Sequence, residues 1–282
     1  MRLPRHWKFA MRLTLLLITA LLGVAWSHGA EPGAVHKKIL LIGHAKDSHP
    51  PRTHEYLEGC KLLAKCLVQT PGVETVVWEG WPADPAQADG AAAIVLYVPW
   101  GANVLFDGPQ RDLVKKQLVG GAGLVAIHWS TGAQGAEYGQ LWLDQLGAWF
   151  HSDFSKIHHL QQRLKLLDSQ HAICRGLQDF NLFDELYFNL RFADTAQPLV
   201  QVDLEGTPQT IAWTYQRPDS RDGRSFGCVA GHYHKNFGND LFRKLLINGI
   251  LWTAHVEVPP HGAPCRIEPR DLALASDSDP VH

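Results

Sequence analysis

Residues 38–43 form a short β-branched and leucine-rich run closed by Gly43, which predicts a first strand. A polar loop follows over 44–52, carrying Pro50-Pro51. Beyond it, Tyr56, Leu57, Cys60, Leu63, Ala64 and Leu67 recur at helical spacing, with Thr53 placed to cap the helix and Pro71-Gly72 to stop it. Residues 73–78 predict a second strand and 92–98 a third, after a proline-rich connection. Leu113, Val114, Gln117 and Leu118 mark a further helix face ended by Gly120-Gly121, and the run Gly123-Leu124-Val125-Ala126-Ile127 reads as a buried fourth strand ending on His128-Trp129. Continuously apolar strands alternating with helices predict an α/β fold, a mainly parallel sheet flanked by helices. Right-handed crossovers put the four strand ends on one edge, where His44, Pro99-Trp100 and His128-Trp129 gather.

The second half is richer in strand signals. Residues 159–166, 199–204 and 210–215 alternate with period two, which adds antiparallel strands, whereas 183–192 is undecided by its pattern. Residues 224–230 predict another strand that opens into Gly231-His232-Tyr233-His234. Leu241, Phe242, Leu245, Leu246, Ile250 and Trp252 line a closing amphipathic helix. No internal repeat and no central linker is visible, so 37–258 is expected to be one domain. Residues 259–282, rich in Pro, Asp and Ser, are expected to be a disordered tail.

The N-terminus changes the picture of where the chain works. Arg2, Arg5, Lys8 and Arg12 precede an apolar run over 13–26 and the small-residue end Ser27-His28-Gly29-Ala30. That is the pattern of a signal peptide over 1–30, shorter than the ~20 apolar residues of a membrane span, and it implies a secreted or periplasmic protein. Retention as an uncleaved anchor stays the alternative. Cleavage would remove four basic and no acidic residues from a chain of formal charge -2. The remainder is acidic, which excludes nucleic acid as a partner, since that binding rests on Lys and Arg neutralising phosphates. The cysteines, Cys60, Cys66, Cys174, Cys228 and Cys265, are odd in number and include no C-x-x-C pair. Cys60 and Cys66 lie about 9 Å apart along a helix and cannot bridge each other. Buried thiols are expected.

Chemistry concentrates on histidine. Ligands bind at the carboxyl ends of strands in open α/β sheets, so His128 is placed as a general base or metal ligand, or else as a hydrogen-bonded core residue. His232 and His234 would share one face if their strand continued through them; otherwise one would point to the cleft and the other to solvent. His44 and His49 sit on the first strand-to-helix loop. Three imidazoles, or two with Glu185 or Asp184, suit zinc or a similar divalent ion. No H-E-x-x-H occurs, and Gly120-Gly121-Ala122-Gly123 precedes a strand rather than following one, so no nucleotide cofactor is expected. Ser130 lacks the first glycine of a G-x-S-x-G elbow. Trp100 and Trp129 could stack on a sugar ring or simply pack.

These landmarks, in order, are Gly121 through His128, His171-Ala172-Ile173 with Gly176-Leu177 and Phe180, Asp184-Glu185-Leu186-Tyr187, Gly231-His232, Phe242 and the Asn248–Ala254 segment. Together they resemble the ThuA-like family, named for trehalose utilisation, over about residues 37–258. The resemblance implies a flavodoxin-like fold related to class I glutamine amidotransferases, and a link to sugar metabolism near oxidoreductases that make 3-keto sugars. The amidotransferases place a nucleophilic cysteine on a strand-to-helix elbow, with a histidine on a later strand. Here His128 holds the elbow and His232 the later place, so amide hydrolysis through a cysteine is not expected. The reading is an exported enzyme acting on a small carbohydrate, a sugar or keto-sugar derivative, by elimination, isomerisation or hydrolysis. His128, His232 and Glu185 would do the acid/base work. His128, His232 and His234 would hold zinc or manganese, and Trp100, Trp129 and His44 would contact the sugar. A homo-oligomer fits this reading. The rival is a non-catalytic module binding carbohydrate or a partner, which fold alone does not separate. Glycoside hydrolysis is disfavoured within the first reading, because its usual carboxylate pair is not evident.

Overall fold

The computed structural model describes residues 36–275, so the leader expected at 1–30 and the last seven residues lie outside the described residues. The strands are β1 Lys37–Gly43, β2 Val73–Glu79, β3 Ala93–Leu96, β4 Gly123–Ile127, β5 Ala148–Trp149, β6 Lys156–Leu166, β7 Phe180–Phe188, β8 Arg191–Phe192, β9 Gln197–Leu204, β10 Thr207–Gln216 and β11 Arg224–Cys228. The helices are α1 Tyr56–Leu67, α2 Gly101–Phe106, α3 Arg111–Val119, α4 Ala136–Leu146 and α5 Asp240–Thr253. Nine strands form one sheet in the order β2-β1-β3-β4-β11-β10-β9-β6-β7, while β5 and β8 pair separately. From β2 to β11 the pairing is parallel, and from β11 to β7 it is antiparallel.

The parallel half follows from its side chains. Every residue of β3 and β4 is buried, as a strand covered on both faces requires. At β11, Ser225 reaches Gln145 of α4 through its hydroxyl, whereas Phe226 meets Gly249 of α5. Successive strand residues point to opposite faces, so α4 and α5 cover the sheet from opposite sides. This is the expected α/β architecture, with antiparallel strands added in the second half.

Several local expectations are corrected. Thr53 does not cap α1, which begins at Tyr56. Thr53 pairs instead with Tyr233 in an isolated bridge, and its hydroxyl donates to Pro50 O at 2.6 Å. The strand over 224–230 stops at Cys228, because the backbone turns at Gly231 (φ 127) and His234 opens a short 3-10 turn over His234–Gly238. The tail is not disordered from 259. Through residue 275 it packs on the domain, burying Ala263, Cys265 and Leu274. Its backbone satisfies polar groups of α5: Arg243 Nε donates to Cys265 O at 2.7 Å, and Ala263 N–H donates to Asn248 Oδ1 at 2.9 Å. All five cysteines are buried and free. Among the described residues, no helix is long and apolar enough to cross a membrane.

Candidate metal centre

His128 stands directly after β4 with φ 55, in the left-handed region, so the chain turns sharply at the strand end and leaves the ring inside. It is fully buried, and its Nδ1 lies 2.8 Å from Val229 O. A carbonyl only accepts, so Nδ1 carries the hydrogen and Nε2 presents a lone pair. His54 arrives from the loop after β1. His54 N–H donates to His232 O (3.0 Å) and His234 N–H to Arg52 O (2.9 Å), which stitches this loop to the segment after β11. His54 also has positive φ, at 53. Asp184 accepts from the backbone N–H of Gly231 at 2.7 Å and of His232 at 3.1 Å, fixing the turn that presents the His232 ring. The next residue on β7, Glu185, lies directly opposite His159 of β6.

These elements bring four side chains together. His54 Nε2 is 3.0 Å from His128 Nε2, and His232 Nδ1 is 2.9 Å from the former and 3.4 Å from the latter. Glu185 Oε1 is 3.5 Å from His128 Nε2, and its Oε2 is 3.6 Å from His232 Nδ1. Facing lone pairs repel unless a cation lies between them. Zinc bonds of about 2.0–2.1 Å at tetrahedral angles set neighbouring ligand atoms about 3.3 Å apart, close to these separations. The group His54, His128, Glu185 and His232 could therefore hold a metal ion.

The electrostatics agree. Burial first, then the neighbouring imidazoles, lowers the pKa of His54 to about 4 and of His232 to about 3, and holds His128 well below the ordinary range. All three are neutral at neutral pH, the form that binds metals. Burial raises the Glu185 pKa against the lowering pull of His159. Burial also pushes Asp47 upward, but the His49 backbone, His54 and Tyr56 outweigh it and hold the carboxyl well below the usual carboxylate range.

A cleft of about 210 Å³ opens over the group, walled by Trp100, Trp129, Phe150 and Tyr187, with His54 and Glu185 also lining it. Trp100 and Trp129 meet edge-on at 5.4 Å, and Tyr187 stacks on Phe150 at 4.0 Å and on His128 at 4.7 Å. The Tyr187 hydroxyl is 3.1 Å from His128 Nε2. A wider hollow of about 430 Å³ beside Arg243 and Cys265 contains no such group of imidazoles, so size alone does not mark the site.

The structure thus gathers His128, His232 and Glu185, with Trp100 and Trp129 on the wall above them. It does not gather His44 or His234. His44 is exposed, bonds to Ala45 O at 2.8 Å and meets Tyr56 edge-on at 6.0 Å. His234 is buried beside Phe237 (5.8 Å) and is not part of the metal-holding group, since the strand ends before it and two-residue alternation does not apply. Asp184 holds backbone, and Ser130 donates to Val98 O at 2.8 Å and accepts from Val98 N–H at 2.7 Å. Sequence reasoning missed His54, Asp47, Tyr187 and His159. The available signal for His54 was its place beside His49 on a loop at the functional edge, which the helix-cap reading of Thr53 obscured.

Comparison with known proteins adds the family. The model of the ThuA family, described as trehalose utilisation, matches residues 35–253. A putative ThuA-like protein from Bacteroides uniformis superposes with TM-score 0.59 at 12% identity, covering 80% of this chain and 94% of that one. One from Parabacteroides merdae gives 0.58 at 13%, covering 84% and 98%. A cytoplasmic protein from Salmonella typhimurium gives 0.52 at 14%, covering 77% and 98%. At these identities the likeness speaks for the fold. No curated protein matches the sequence.

Proposed function

The chain belongs to the ThuA family, described as trehalose utilisation, and from that premise we propose that it is an exported, metal-dependent enzyme acting on a sugar or keto-sugar derivative. One observation carries the reading: three imidazoles whose ring nitrogens converge, and a carboxylate beside them, lie at the strand ends beneath an aromatic cleft. His54, His128 and His232 would hold the ion, zinc or manganese, with Glu185 beside it. A bound divalent ion supplies polarisation of a substrate oxygen. Trp100 and Trp129 take the apolar faces of the sugar ring.

Glu185 moves the proton. Its Oε2 lies 3.1 Å from Nε2 of half-exposed His159, which passes the proton between the carboxylate and solvent. Proton abstraction next to a ketone, leading to elimination or isomerisation, would need one such base, with Glu185 taking the proton from the carbon. The signal-peptide pattern of residues 1–30 supports the exported part of this reading.

The test is metal content, then turnover. Purified protein should contain about one zinc or manganese per chain, lost in both His128→Ala and His232→Ala. With added ion it should act on 3-keto disaccharides faster than on unmodified ones, and Glu185→Gln should slow turnover by about 10²–10⁴-fold while retaining the metal. A metal-free protein that binds sugar equally well after both histidine changes makes it a binding module instead.

A further inference from the structure

The loop that delivers His54 carries a second group of metal-ligand type, Asp47, His49 and His54, with atoms within 4.8 Å of one another. The Asp47 carboxylate is already filled with donors. Its Oδ1 accepts from His49 N–H and from His49 Nδ1, each at 2.9 Å. Its Oδ2 accepts from the Tyr56 hydroxyl and from His54 Nδ1, each at 3.0 Å, and the Lys46 ammonium stands 3.6 Å from Oδ1. A carboxylate offers about four lone-pair sites. A cation here would have to displace these donors and sit against a lysine.

Tyr56 settles which nitrogen of His54 is protonated. Its oxygen lies 2.9 Å from His54 Nδ1 as well as 3.0 Å from Asp47. The hydroxyl has one hydrogen, and it cannot serve both the carboxylate and a bare Nδ1. With Nδ1 protonated every group is satisfied, and Nε2 is left with its lone pair facing His128 and His232.

We infer that Asp47 is no ligand but the positioning residue of a single-ion centre: by accepting the Nδ1 hydrogen it fixes the tautomer and orientation that make His54 Nε2 a metal ligand. This rests on the metal-centre reading above. A carboxylate behind a ligating imidazole both orients the ring and raises its basicity, and removing one weakens metal affinity by about 10- to 100-fold.

Zinc binding to the full-length protein is titrated against a competing chelator in the unaltered chain, Asp47→Asn, His49→Asn and His128→Ala. The unaltered chain should saturate at one zinc. Asp47→Asn should keep that stoichiometry with affinity down about 10- to 100-fold, His49→Asn should stay within about threefold, and His128→Ala should lose the site. Unchanged affinity in Asp47→Asn with loss in His128→Ala refutes the positioning role and leaves the metal centre standing. Two zinc ions per unaltered chain, one absent from Asp47→Asn, would make Asp47 a ligand and also refute it. No zinc in the unaltered chain sinks both readings. Should Asp47→Asn fail to fold, ¹⁵N-histidine spectra of the unaltered protein decide: His54 should be the Nδ1–H tautomer, and an Nε2–H signal overturns the inference.

Discussion

His128 occupies a backbone region that costs a non-glycine residue on the order of 1–3 kcal/mol, and such residues persist only where their surroundings over-determine them. Arg52, His54 and Trp100 share that region with φ of 67, 53 and 48, and all lie on the loops around the same centre. Asn189, Glu205, Asp222 and His255 share it elsewhere, so strain accompanies the turns of this rim without by itself assigning them a function. Titration gives a measurable consequence. In the metal-free protein, burial and neighbouring imidazoles hold His54 at about 4 and His232 at about 3, below the ordinary ~6.5 of an unfolded chain. Between those values the unfolded state binds more protons, so the stability present above pH 6.5 is lost as pH falls toward 4 and then 3. The urea midpoint should therefore be lower at pH 5 than at pH 7, and His54→Gln should flatten that dependence. An unaltered protein with equal midpoints at both values refutes the titration argument. His128 and His232 were legible because each follows a strand signal in the sequence. His54 was not, since its partner His232 lies 178 residues away and the two meet only through the tertiary backbone bonds around the Thr53–Tyr233 bridge.

At the scale of elements, what could be read was what neighbouring strands do not alter. β4 is apolar at every position after its glycine and was legible as a buried strand. β7 was not, because its first half alternates between buried and exposed while its second half is wholly buried. That change reflects which neighbours cover each part, and a mixed pattern has no single period. The resemblance nevertheless marked Asp184 to Tyr187, and two of the site's groups lie there. The packing of β4 also hangs on one small residue. A Cβ on Gly123 would collide with the Thr253 carbonyl at the end of α5, which is backbone and cannot rotate away. Gly123→Ala should therefore destabilise the protein by about 1–3 kcal/mol. On a domain of this size that lowers the thermal midpoint by roughly 2–12 °C. A midpoint within 1 °C of the unaltered chain would show that α5 moves aside freely.

The whole molecule was legible in its parallel half and least legible at its C-terminal end. Residues 259–275 read as a polar, proline-rich tail, but low hydrophobicity predicts disorder only when nothing in the domain needs the segment's backbone. Here α5 buries Arg243 and Asn248, and neither finds all its partners within the helix. The tail supplies Cys265 O to the guanidinium and Ala263 N–H to the amide, while Lys65 of α1 pairs with Asp271 at 2.6 Å. Order in the tail is thus set by polar groups on the domain, which no local composition reveals. Ending the chain after Val258 would leave those buried groups short of partners, at a cost of about 1–3 kcal/mol for each, together with the contacts of Ala263 and Cys265. The shortened protein should unfold several degrees lower and at lower urea. Its imidazole group draws no residue from the tail, so its zinc stoichiometry, measured below the new midpoint, should match that of the full chain. Equal unfolding midpoints would show that the tail rests on the domain without supporting it. Loss of zinc from a still-folded shortened chain would show that α5 transmits the tail's packing to the strand ends.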